Sequence, residues 1–370
     1  MGESNLVTGP FTGQLQRAGA VFTERFGVEL AEHFGDPGRE YEAARRAVGL
    51  VDLSFRGLLE VTGGDRVRWL NGQVTNDVNA LQPGRGMLAA ALTVKGHLLS
   101  DLALYGLPGA IWIGLNRDRV AGVAASFDRY IIADDVAVSR IGDRVAQLMV
   151  VGPGAPGLVA RVADRETAGL PPWHHREAYI GGVPVRVAAS RWLAMPGYDV
   201  LAPAGESGTV WAALSQGGAA DGLRPVGMAA LERLRVEAGW PWYGVDFDDG
   251  NLLLEALTPA HVSFTKGCYI GQEVVIRVEH QGHVNKRLCG LLVEGETTPP
   301  AGSTLHLGER KVGHLTSAVF SPTLGQAIAM GYVRRECWEP GTALRLVSGD
   351  VSWGAEVRPL PFIEVHPGGS

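Results

Sequence analysis

Cysteine is scarce in this sequence. Cys268, Cys289 and Cys337 are the only three in 370 residues, and no two form a CxxC pair. An odd, widely spaced set speaks against a disulfide framework and fits free thiols in a reducing compartment. Long apolar runs are missing as well. The most apolar stretch, Ala146 to Ala160, is broken by Gly and Pro and falls short of the ~20 residues that a spanning helix needs. The opening residues, MGESNLVTGPFTGQL, hold no basic end leading into an apolar core, and Leu6 stands where a myristoylation site carries Ser or Thr. No secretory leader, lipid anchor or membrane span is therefore expected, and the cytoplasm is the expected location. Positive charge is in deficit: 33 Lys and Arg against 39 Asp and Glu give a net −6. That balance disfavours holding duplex nucleic acid by phosphate neutralisation. HExxH, GxxxxGK[ST], GxSxG and a strand-following GxGxxG are all absent, so zinc-protease, P-loop, hydrolase and dinucleotide readings have no support. His280 and His283 lack a matching cysteine or carboxylate set, and no metal site is expected.

What is present is an ordinary globular composition, 46% hydrophobic and 19% charged, enough for two or three cores. The periodicity predicts a helix over Gly13 to Phe26 and a second over Glu40 to Val48, the latter closed by Gly49. Gly57 to Thr62 reads as a strand, followed by a helix capped near Gly63-Gly64-Asp65. Met87 to Thr93 and Leu98 to Tyr105 read as paired strands joined at Lys95-Gly96, with Ala110 to Leu115 a further strand and Arg117 to Tyr130 a helix. Strand and helix pieces continue to Val236. After Lys286 the texture changes to short strand-like runs, Leu288–Val293, Ser303–Leu307, Lys311–Thr316, Ala327–Val333 and Ala343–Leu346, separated by Gly and Pro. This predicts an α+β module over residues 1–284 and a small β-barrel over 285–370.

Four places could carry chemistry. In Lys266-Gly267-Cys268-Tyr269-Ile270-Gly271-Gln272-Glu273 the thiol of Cys268 precedes a predicted helix start, where the dipole favours a thiolate, and Lys266 adds a nearby charge; a buried structural cysteine is the plainer alternative. Asp101 shares a strand face with Leu99 and Tyr105, which suits an acid reading a donor edge in an apolar setting, unless it caps a solvated strand end. Arg235, beside Glu237 at a helix end, could pair with a ligand carboxylate or with the chain's own acids. The Asn71–Asp77 turn could line a pocket, though turn formation explains its Asn and Gly residues.

KGCYIGQE at 266–273 is similar to the K-G-C-[FY]-x-G-Q-E signature of YgfZ-type proteins, a branch of the glycine-cleavage T-protein superfamily. The resemblance spans nearly the whole chain: Gly49 to Ser54 resembles its GxxDxS motif, Leu234 to Gly239 with Tyr243 to Asp246 resembles RLEAG…YGxD, and Gly313–Ser317, Ser321-Pro322, Ile328–Val333 and Pro361-Phe362 resemble its barrel motifs. The resemblance implies a T-protein-like module around a central channel that binds tetrahydrofolate or another reduced folate, closed by the barrel. It places Asp101 near the pterin and Arg235 near the folate tail, with Tyr105, Lys266 and Tyr269 completing the cofactor-binding set. Asp101 and Cys268 are the implied catalytic residues, Cys268 offering a thiol to substrate, client or cluster. Only the closing Gly-Tyr-acid of the T-protein loop GYTGEDGYE survives, at Gly197-Tyr198-Asp199, and that departure, with Cys268, favours the YgfZ branch. The function so implied is support of iron–sulfur client proteins, including those that modify transfer RNA, by a monomer. The alternatives are a folate-dependent aminomethyl- or methyltransferase and a non-catalytic folate-dependent scaffold.

Overall fold

The computed structural model describes residues 7–281 and 284–364, and among these no helix is long and apolar enough to cross a membrane. The chain separates into two compact units. The first takes in residues up to Ala91, Ser100–Arg191 and Met195–Leu231; the second takes in Leu92–Leu99, Trp192–Ala194 and the chain from Glu232 onward. Residues 232–281 therefore cluster with the barrel, whereas the texture change that predicts a boundary falls at 285.

The first unit is built on two larger sheets and a small one. A six-stranded sheet runs in the order His175–Ile180, Val183–Ser190, Gly197–Pro203, Val145–Val151, Gly49–Asp52 and Arg224–Val226. On one face, Val183, Val185 and Val187 alternate inward and join Leu148, Val150 and Val200, covered by Leu158 and Val159 of helix Ala155–Val162 and by Val210 and Leu214 of helix Ser207–Gly218. The period-2 alternation leaves Pro184 and Arg186 on the opposite face. A five-stranded sheet runs Gly86–Leu92, Leu98–Gly106, Ala110–Asn116, Arg56–Thr62 and Ala137–Arg140.

Two local expectations fail. The helix predicted over Gly13 to Phe26 ends at Arg17; Val21–Arg25 and Val28–His33 form a β-hairpin instead. Phe26 and Gly27 both adopt positive φ, at 54° and 72°, the two-residue turn whose twist suits a hairpin. Within the predicted span, Leu15, Ala18, Phe22 and Phe26 follow a helical spacing of three and four residues, which masked it. Gly49 does not close the second helix, which runs Pro37–Arg46 with Asp36 accepting from the amides of Gly38 and Arg39. It opens a buried strand, where a Cβ would come within 2.9 Å of Val226 Cγ2 and 3.1 Å of Ala44 Cβ.

In the second unit a closed barrel orders Lys286–Val293, Gln326–Arg334, Arg310–Ser321, Thr304–Leu307, Ala343–Ser348 and Val351–Arg358. Leu291, Val312, Leu315, Val333, Leu346 and Val357 fill it. The α+β module followed by a small barrel is thus the observed fold class.

Candidate functional site

The candidate residues fall into one group in each unit. In the first, Asp101 lies on Leu98–Gly106, a strand that pairs with Ala110–Asn116; the latter pairs in turn with Arg56–Thr62. This order carries Arg56 to the acid: its Nη1 stands 3.9 Å from Asp101 Oδ2 and donates to Asn116 Oδ1 at 2.8 Å. Asp101 is buried, and its Oδ1 has no hydrogen-bond partner. A buried carboxylate oxygen left unpaired costs about 1–3 kcal/mol or more, so such an atom points to a donor brought by something else. Tyr105, on the same strand face, is also buried. Burial foremost, with the Asp199 charge adding to it, raises its phenol's pKa, so it stays a protonated hydroxyl. Its ring meets His175 edge-on at 5.6 Å. Sequence reasoning missed Arg56 and His175, because only strand order brings them here.

The Asn71–Asp77 segment is largely spent internally, although the buried Gln73 Oε1 has no hydrogen-bond partner. Asn71 Oδ1 accepts from the Val78 amide, Asn76 Nδ2 donates to Leu88 O, and Thr75 Oγ1 accepts from the Ala90 amide.

In the second unit Arg235, for which the sequence left a ligand carboxylate or the chain's own acids as partners, pairs with the chain's own acids. It is fully buried in helix Met228–Glu237, and all five of its N–H donors are engaged. Nε and Nη2 hold the Glu232 carboxylate, Nη1 holds Asp246 Oδ2 at 2.7 Å and Trp240 O at 3.3 Å, and Nη2 also meets Ser317 Oγ at 2.7 Å. The guanidinium lies over Trp242 at 4.5 Å. Asp246 is saturated in turn by Thr316 Oγ1, Ser317 Oγ and the Trp242 amide. The YGxD acid and the RLEAG arginine are therefore one buried knot tying the helix to barrel strand Arg310–Ser321.

Cys268 is exposed, while Cys289 and Cys337 are buried. The helix that follows begins at Gln272, so the thiol precedes rather than occupies its first turn, where dipole effects are strongest. Gly271 has φ 80°, and a Cβ there would sit 2.6 Å from Thr93 O. Tyr269 is buried, its phenol pushed up to about 12 by burial, and Lys266 Nζ lies 5.0 Å from the centre of its ring. Among the described residues no group of three or more His, Cys, Asp or Glu is placed to hold a metal. His283 and the side chain of His280 lie outside the described residues.

The family described as the GCVT N-terminal domain matches residues 11–266, and the glycine cleavage T-protein C-terminal barrel domain matches 286–364. The chain is 30% identical over 329 residues to an aminomethyltransferase of Streptomyces avermitilis, covering 88% of each. It is 31% identical over 370 residues to a probable aminomethyltransferase of Natronomonas pharaonis, covering 97% of this chain and 100% of that one. The crystal structure of glycine cleavage system aminomethyltransferase T from Bartonella henselae shares its fold, with a TM-score of 0.88 over 97% of this chain and 99% of the other at 24% identity. These relatives carry the name of the alternative reading, the aminomethyltransferase, rather than that of the YgfZ branch.

Proposed function

We propose, for a chain that belongs to the glycine cleavage T-protein family, that it transfers a one-carbon unit from an amine donor to tetrahydrofolate, as an aminomethyltransferase-type enzyme. The observation that carries this reading is Asp101, a buried acid whose Oδ1 lacks a donor on a strand face it shares with Tyr105. A reduced pterin fits that need, since its ring edge carries N–H donors and its face suits an aromatic wall. When bound, tetrahydrofolate supplies the nitrogens that take up the one-carbon unit. Asp101 accepts a hydrogen bond from the ring and fixes its orientation. Arg56 stands 3.9 Å from the other carboxylate oxygen as an ion-pair partner, which leaves Oδ1 as the acceptor for a ligand donor. Burial of both Asp101 and Tyr105 excludes water and strengthens that contact.

Titration calorimetry with tetrahydrofolate tests the reading. Asp101→Ala is expected to weaken binding about ten- to a hundredfold, the loss of one charge-assisted hydrogen bond, and to abolish folate-dependent transfer from an aminomethyl donor. A wild-type protein that binds no reduced folate overturns the proposal.

One observation favours a second reading, support of iron–sulfur proteins: the thiol of Cys268 is exposed within KGCYIGQE. On that reading Cys268→Ser leaves folate affinity intact yet fails to restore iron–sulfur enzyme activity in a deletion strain. Full rescue by Cys268→Ser, with transfer lost in Asp101→Ala, decides for the transferase.

A further inference from the structure

The face of the six-stranded sheet opposite its helices carries a groove of about 220 Å³ that the folate reading does not use. Strand register builds it: Arg186 is directly opposite Glu177 on one side and Leu201 on the other, across three neighbouring strands. Trp112, from the other sheet, lies under the Arg186 guanidinium at 5.6 Å, and Pro184 and Arg144 complete the part of the wall that matters. The side chain of Arg186 is only 10% exposed, against 81% for Glu177. Its Nη1 is turned to His175 Nδ1 at 3.0 Å and its Nη2 donates to Glu177 Oε1 at 2.7 Å, but its Nε–H is buried with no acceptor. A guanidinium edge is made of Nε and one Nη, the fork that fits a carboxylate. Here half of that fork is unfilled and the other half is held by a solvent-exposed side chain that can leave. Burial of the ring nitrogens lowers the His175 pKa to about 4, the Arg186 charge adding to the effect, so near neutral pH the imidazole accepts from Arg186 and adds no charge. Arg144 brings a second cation to the groove, and its remaining walls are apolar.

We propose that this groove is a binding site for a small monocarboxylate with an apolar ring or chain, its carboxylate on the Arg186 Nε edge and its body against Trp112 and Leu201. The site meets the one at Asp101 only through His175, whose ring faces Tyr105 and whose Nδ1 accepts from Arg186 Nη1. The cavity holds a single-ring acid and is too small for a dinucleotide or a folate.

Calorimetry or ligand-observed NMR with benzoate and phenylacetate tests this on the full chain. Saturable binding is expected, with benzamide, the neutral isostere, at least about tenfold weaker, the scale of one charge-assisted contact. Glu177→Gln removes the competing carboxylate from an exposed position and should tighten benzoate several-fold. Arg144→Ala should weaken it, and Arg186→Met should abolish it. Asp101→Ala should leave it unchanged, which separates this site from the folate reading. The proposal fails if benzoate does not saturate, if benzamide or inorganic phosphate binds as well, if Glu177→Gln leaves affinity unaltered, or if Asp101→Ala removes binding. Because Glu177 and Arg144 are exposed, these outcomes stand even if Arg186→Met does not fold.

Discussion

Asp101 and Arg235 both suit a ligand when read from sequence, the first as an acid on an apolar strand face, the second as a cation beside Glu237 at a helix end. Satisfaction of hydrogen bonds separates them in the structure. Asp101 keeps an unpaired buried oxygen, whereas Arg235 spends every donor on the chain itself. The sequence shows the charge but not how many partners the fold supplies, and Arg56, brought up by strand order, leaves no trace near Asp101 in the chain. The buried knot predicts a large stability effect. Arg235→Met strands Asp246, which is buried, together with Glu232, and removing one partner of a buried pair typically costs about 3–5 kcal/mol. Urea unfolding should report a loss of that order; a change below about 1 kcal/mol would mean that the knot relaxes or takes up water. At the thiols, exposure decides. Cys268 should be the first to react with a limiting alkylating reagent near neutral pH, because Cys289 and Cys337 are buried and burial raises the Cys289 pKa further. Mass mapping that finds Cys289 or Cys337 modified first contradicts this.

Elements with a clean period were legible, and those whose identity rests on partners were not. Gly57–Thr62, Leu98–Tyr105 and the barrel runs fall within a residue or two of the observed strands, except that the Lys311–Thr316 run continues to Ser321, since alternation and Gly/Pro turns encode them directly. The sixth barrel strand, Val351–Arg358, escaped notice. Its sequence VSWGAEVR is half-exposed and broken by Gly354, and it becomes a strand by pairing with Ala343–Ser348 and Lys286–Val293. Arg224–Val226 and Gly49–Asp52 were missed for the same reason: they pair in parallel across the sheet, and no hairpin announces them. Gly271 is a case in which the sequence motif and the element agree. Its positive φ and the 2.6 Å approach of Thr93 O leave no room for a side chain at the start of helix Gln272–Gln281. Gly271→Ala should therefore lower stability by about 1–3 kcal/mol through strain and displacement of the Leu92–Leu99 turn from the helix start. A thermal melt checks this, with Gly267→Ala as the control, since a Cβ at Gly267 meets no atom within 4 Å.

At the scale of the whole molecule, stability against pH is set by buried groups whose effects oppose one another. Asp52, in the GxxDxS motif, accepts from Ser54 N and Oγ at 2.9 and 2.5 Å, but its Oδ2 is buried and unpaired, and burial raises its pKa from 3.8 to about 6. The folded state then holds a proton that the unfolded chain has already released, so this group's contribution falls as pH rises from about 4 to 6. His175 runs the other way. Its pKa drops from 6.5 to about 4 because burial and the Arg186 charge disfavour the cation. Below about 6.5 the unfolded chain takes up a proton that the folded state refuses, so stability is lost as pH falls toward 4. Each effect is on the order of 3 kcal/mol, and across pH 4–6 they largely cancel. Single variants should expose what the wild type hides. Asp52→Asn leaves the His175 slope alone, so its urea midpoint should fall on acidification from pH 6.5 to 4. His175→Gln leaves the Asp52 slope, and its midpoint should fall on raising pH from 4 to 6. The double variant should lose both slopes and again follow the wild type's flatter course over this range. Parallel pH curves for the wild type and both single variants would show that neither group titrates in the folded protein as its burial requires.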